Sequence, residues 1–151
     1  MGKELAQAFR DAREVFEEVD EALKQNLTLL MFDGPEDELM LTENAQPALM
    51  AMSLAVMRVL ARQGNVEVAK TCRFVAGHSL GEYSALAAAG GLAIGDAALL
   101  LKRRGLAMQA AVPVGEGAMA ALLGLDLDEV RAIARDAAEG DVCEAANDNA
   151  P

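Results

Sequence analysis

The chain has 151 residues, 53% of them hydrophobic and 25% charged, a composition that excludes disorder and low complexity and suits one globular domain or slightly more. Its 24 acidic against 13 basic residues leave a net charge of −11, the wrong sign for a nucleic-acid binder, and four Phe and one Tyr offer few surfaces for base stacking. Two cysteines cannot staple a scaffold and read as reduced thiols of a cytoplasmic protein. No secretory leader opens the chain, and the apolar stretch Ala48 to Ala61 is broken by Ser53 and Arg58 and too short to span a bilayer. Leu5, Ala8, Phe9, Ala12, Val15, Phe16, Val19 and Leu23 recur at helical spacing and predict one helix from Lys3 to Leu23. A turn-like region broken by Asp33-Gly34-Pro35 follows, then a helical turn or two over Glu36 to Leu41. Thr42-Glu43-Asn44 supply capping residues for a long helix over Ala45 to Gln63, with Pro47 near its first turn and Gly64 at its end. Cys72 to Ala76 has strand composition, Glu82 to Ala89 and Asp96 to Ala111 read as helices, and Ala118 to Leu125 reads as a buried strand. Asp126 caps a helix over Leu127 to Glu139, and Val142 to Ala146 reads as a further strand. One clear strand before the tail, against four or five helices, is too few for a parallel α/β core, so strands are expected to be missing.

Gly77-His78-Ser79-Leu80-Gly81 matches G-x-S-x-G between a predicted strand and a predicted helix. That context turns a weak pentapeptide into a nucleophile elbow: the serine sits at a strained apex and the glycines let neighbouring backbone pass. The N–H of Leu80 faces the same space and can donate to an oxyanion at the start of the following helix. A glycine-rich turn with an inert serine has the same pattern. His78 is the single histidine, yet adjacent residues on a sharp turn point apart, so it reads as a lining or structural residue and not as the base. Glu82 suits the first turn of the helix as a structural carboxylate. Arg104 lies in the run Lys102-Arg103-Arg104, which alone reads as a solvated face; Gln46 reads equally as a site-lining residue or as a polar residue at a helix start.

The longer string Gly77-His78-Ser79-Leu80-Gly81-Glu82-Tyr83-Ser84-Ala85-Leu86 closely resembles the nucleophile region of malonyl-CoA:acyl carrier protein transacylases, within the wider acyltransferase domains of polyketide and fatty acid synthases. Gln46-Pro47-Ala48-Leu49, Arg104-Gly105 and Gly115-Glu116-Gly117-Ala118-Met119-Ala120-Ala121 extend the resemblance over nearly the whole chain. It implies an α/β fold: part of a three-layer αβα, hydrolase-like core over residues 1–114, and the first strand–helix–strand of a ferredoxin-like subdomain over residues 115–151. It implies fatty-acid synthesis in the cytoplasm, with malonyl passing from coenzyme A to Ser79 and on to the phosphopantetheine thiol of acyl carrier protein. Leu80 would serve the oxyanion, Arg104 would bind the malonyl carboxylate, and Gln46 and His78 would line the site; no cofactor or metal is implied. The family's members are about twice this length, and the resemblance places an N-terminal strand with a Gly-Gln-Gly-Ser loop, the catalytic histidine and the group orienting it outside this chain. The expectation is a portion truncated at both ends, folding poorly and inactive alone, since loss of a triad partner costs about 10³-fold or more, unless another chain completes it. Two other readings remain. A serine esterase or lipase shares the elbow and has no use for Arg104. A non-catalytic fragment could bind acyl carrier protein through Lys102-Arg103, against the opposing net charge.

Overall fold

The computed structural model describes residues 1–113 and 115–149. The chain divides into two compact units, Met1–Val114 and Gly115–Pro151. The boundary residue Val114 and the last two tail residues, Ala150 and Pro151, lie outside the described residues.

The first unit is helical: α1 (Lys3–Ala8), α2 (Arg10–Leu23), α3 (Leu27–Asp33), α4 (Glu36–Met40), α5 (Thr42–Gln63), α6 (Val68–Thr71), α7 (Gly81–Ala88) and α8 (Ile94–Ala111). The expected single helix over Lys3 to Leu23 is two helices, because Phe9 adopts an extended conformation (φ −131°, ψ 119°) and packs against the core. On α2 the apolar stripe Ala12, Val15, Phe16 and Val19 is buried, and its charged residues face outward. The region expected as a turn contains α3. The Asn26 side chain caps it by accepting from Leu29 N at 3.1 Å, Leu27, Leu30 and Met31 enter the core, and Gly34 ends it.

Helix α5 forms the centre of this unit, burying Ala48, Met50, Ala51, Leu54 and Ala55 between α2 and α8. It begins at Thr42, so Pro47 stands inside the helix in its second turn. Thr42, Glu43 and Asn44 are helical residues and not the cap. The N-cap is Leu41, which offers no side-chain acceptor, and the orphan N–H of Glu43 donates instead to Gln109 Oε1 of α8 at 2.7 Å. Ala97, Ala98 and Leu101 of α8 complete the core, and Phe16 meets Phe32 edge to face at 5.6 Å.

The three expected strands are absent among the described residues. Cys72 to Ala76 runs as an unpaired segment with Phe74 84% exposed, and Ala118 to Leu125 and Val142 to Ala146 are likewise unpaired, with Leu123 89% and Val142 88% exposed. Composition marks these runs as apolar and strand-length. A strand also needs a neighbour to complete its ladder of hydrogen bonds, and none of these segments has one among the described residues. The second unit contains α9 (Leu127–Ala137). A capping box starts this helix: Asp126 accepts from Glu129 N and Glu129 accepts from Asp126 N.

Candidate active site

Ser79 lies between the unpaired segment and α7, with φ at +56°, the left-handed region that a side chain rarely occupies. The turn is closed by Gly81 N donating to His78 O at 2.9 Å and Glu82 N donating to Ser79 O at 3.2 Å. Leu80 is the N-cap of α7, and among the described residues its own N–H has no hydrogen-bond partner. The Ser79 hydroxyl and the Leu80 N–H thus stand at the N-terminal end of α7, whose dipole favours negative charge there.

The Arg104 side chain leaves the middle of α8 and joins two other elements. Its Nη2 donates to Ser79 Oγ at 3.0 Å and its Nη1 donates to Gln46 Oε1 at 2.5 Å. Gln46, on α5 and 4% exposed, is held in turn by Met108, its Nε2 lying 3.2 Å from Sδ. Arg104 is half-buried, so the solvated face that a basic run suggests is not its environment. Ser79, Arg104 and Gln46, from a turn and two helices, therefore form one hydrogen-bonded chain. A guanidinium on the hydroxyl oxygen supplies positive charge where an attacking serine oxygen or a bound carboxylate would carry negative charge.

His78 and Glu82 are exposed, and among the described residues neither side chain makes a hydrogen bond. Lys102 departs from the sequence reading. Its Nζ lies 2.6 Å from Glu43 Oε2 and donates to Asn44 Oδ1 at 2.9 Å, so it belongs to an internal cluster and not to an open basic patch. Asn44 is buried and also accepts from Gln25. The sequence signal for this cluster is Gly105, a glycine inside a helix, which marks a close approach of backbones. Among the described residues no group of His, Cys, Asp and Glu could hold a metal ion, and no helix is long and apolar enough to cross a membrane.

The family model described as "Acyl transferase domain" matches residues 1–149. This chain belongs to the acyl transferase domain family. It is 46% identical to the malonyl CoA-acyl carrier protein transacylase of Bacillus subtilis (strain 168), over 100% of this chain and 46% of that protein. Among solved structures it is similar to an acyl-carrier-protein-S-malonyltransferase from Bartonella henselae, with 58% identity and a TM-score of 0.90 over 99% of this chain and 47% of that one. It is also similar to the malonyl-transacylase solved in complex with its type II PKS acyl-carrier protein, with 41% identity and a TM-score of 0.83 over 94% of this chain and 45% of that one. The acyl transferase chain thus has the fold of the matching part of malonyl transacylases, and spans about half the length of the curated relatives it matches.

Proposed function

We propose that this chain carries the nucleophile-bearing part of a malonyl-CoA:acyl carrier protein transacylase of cytoplasmic fatty-acid synthesis. What carries the reading is the Arg104 guanidinium on Ser79 Oγ at 3.0 Å: a nucleophile beside a two-pronged carboxylate binder fits an acyl group that ends in a carboxylate. Residues 1–114 then belong to the large αβα subdomain, in which Cys72 to Ala76 becomes a strand once neighbouring strands flank it. Residues 115–151 begin the ferredoxin-like subdomain.

In the first half-reaction Ser79 Oγ attacks the thioester carbonyl of malonyl-CoA, forming the C–O bond. The Leu80 N–H steadies the oxyanion. The C–S bond then breaks, and the proton lost by the hydroxyl ends on the coenzyme A sulfur. In the second, the phosphopantetheine thiol of acyl carrier protein attacks the ester, takes the malonyl group and returns a proton to Ser79. The ester itself carries the group, so no step passes through a cofactor or a metal. Arg104 pairs the malonyl carboxylate, Gln46 holds the guanidinium in line, and His78 lines the approach. The general base comes from a part of the fold that this chain does not span, or from a companion chain, because among the described residues the exposed His78 side chain makes no hydrogen bond to the hydroxyl. A serine esterase is not favoured: a hydrolase of plain esters has no use for a half-buried arm that ties Arg104 to Ser79 and Gln46.

The test is intact-mass analysis after incubation with malonyl-CoA, with and without the remaining half of the Bacillus subtilis relative. The expected result is one malonyl group on the chain when that half is present, absent from Ser79→Ala, with onward transfer to acyl carrier protein in the same mixture. An adduct that persists in Ser79→Ala, or none with the added half, overturns the proposal.

A further inference from the structure

The first turn of α5 is gripped by one face of α8. Lys102, Gly105 and Gln109 are spaced as i, i+3 and i+7, so they share that face. Lys102 reaches Glu43 Oε2 at 2.6 Å and Asn44 Oδ1 at 2.9 Å, and Gln109 Oε1 accepts from Glu43 N at 2.7 Å. Between them Gly105 lies flat on the α5 backbone: a Cβ there would sit 2.4 Å from Glu43 Cα and 2.7 Å from Thr42 O. Asn44 anchors the assembly further by accepting from Gln25 at 3.0 Å and donating to Glu38 O at 2.8 Å.

The clamp adjoins the site on both helices. Arg104 is the residue before Gly105, and Gln46 is three residues after Glu43, one helical turn along α5. A slide of α8 by a single residue displaces Arg104 by about 1.5 Å along the axis, enough to break its contacts to both Gln46 and Ser79. An ion pair partly withdrawn from water adds little net stability, and its directional contacts serve better to specify register. Lys102 and Glu43 are each only 23% exposed at their side chains.

We infer that Lys102 and Gln109, with Gly105 between them, are positioning residues that set the register of α8 on α5, and through it the reach of the Arg104 guanidinium to the acyl carboxylate on Ser79. The inference rests on the proposed role of Ser79 and Arg104 for its functional consequence, and on the contacts alone for its structural one. It takes Lys102 out of any carrier-protein docking surface.

Two readouts keep these apart. In the folded 151-residue chain, nitrogen-15 NMR should show the Arg104 Nη protons as resolved signals with slowed rotation. Lys102→Met and Gln109→Ala should each average them while leaving the Arg58 signals and the helical circular dichroism unchanged, and Lys102→Arg should restore them. Arg104 signals equal to wild type in both variants overturn the inference. With the remaining half of the fold supplied, each variant should lower the ratio of malonyl to acetyl acylation of Ser79 by about tenfold, since displacements of about 1 Å carry such costs. An unchanged ratio overturns the functional part. If the wild-type chain takes no malonyl at all, the reading of Ser79 fails, and the Arg104 spectrum decides the clamp by itself.

Discussion

Gly77 and Gly81 face each other across the elbow so closely that a Cβ on Gly77 would lie 2.0 Å from the carbonyl carbon and oxygen of Gly81. The two glycines of the motif are not equivalent, because a Cβ on Gly81 would meet nothing within 4 Å. Gly77→Ala must therefore shift the backbone that holds Ser79 at φ +56°. The expected loss of Ser79 acylation is about a hundredfold, the scale of a misplacement of about 1 Å at a reacting centre. Gly81→Ala opens α7 with a better helix former and should cost far less. Acylation rates of the two variants, measured with the complementing half present, check the asymmetry. Equal losses would remove the steric account of the motif.

Arg104 bonds Ser79 and Gln46 with two different nitrogens, so charge alone should not replace it. Arg104→Lys keeps the charge but replaces the planar two-nitrogen fork with a point-like ammonium, which loses the bidentate geometry that suits a carboxylate. It should lower malonyl acylation of Ser79 by about tenfold, and Arg104→Ala by about a hundredfold or more, the scale of losing a charged hydrogen bond in a partly buried site. Acetyl acylation should change little in either variant. Acetyl and malonyl rates falling together would assign Arg104 to the structure of the turn and not to the acyl carboxylate.

Sequence periodicity finds what one segment decides for itself. The stripe Ala12, Val15, Phe16 and Val19 predicts the buried face of α2, and Asp126 predicts the start of α9. Gly-x-Ser-x-Gly predicts a sharp turn because the chemistry of the turn is local. Features set by a second element are not legible in the same way. Phe9 breaks the first helix without a Gly or Pro to mark it, as its ring packs on the core. Gln109 caps α5 from a distance of 66 residues along the chain. Asn26 is a readable cap for α3, but in the sequence the turn signal Asp33-Gly34-Pro35 outweighs it. The runs Cys72 to Ala76 and Val142 to Ala146 have strand composition, but pairing belongs to two segments and composition to one. Arg104 stands between these cases. A run of three basic residues suggests solvent, and only the crossing of α8 over α5 shows that the third of them turns inward.

Leu101 is fully buried among Ala97, Ala98 and the α5 core. Leu101→Ala should lower unfolding free energy by about 2–5 kcal/mol, combining lost burial with the cavity left behind. Leu106 lies on the same helix and is 47% exposed. Leu106→Ala should stay within about 0.5 kcal/mol in this chain. Urea unfolding followed by circular dichroism separates the two. A large cost at Leu106 would show that the exposed side of α8 is covered in solution.

Helix α9 depends on its start more than on burial, since Ala134 is its only buried residue among those described. Asp126 accepts from Glu129 N at 2.9 Å, and Glu129 Oε2 accepts from Asp126 N at 3.1 Å, so two orphan donors of the first turn are satisfied reciprocally. Asp128 and Glu129 add negative charge at the positive end of the helix dipole, and Arg135 places positive charge in its last turn. Asp126→Ala removes one hydrogen bond and the negative charge of the cap itself, at a cost of about 0.5–2 kcal/mol. A helix with little tertiary support should show that cost locally, with faster amide exchange from Val130 to Ala134 and no change in the exchange of α2 or α5. Asp126→Asn keeps the acceptor and should recover most of the protection. Exchange in α9 unaffected by Asp126→Ala would mean that packing, and not the capping box, holds this helix.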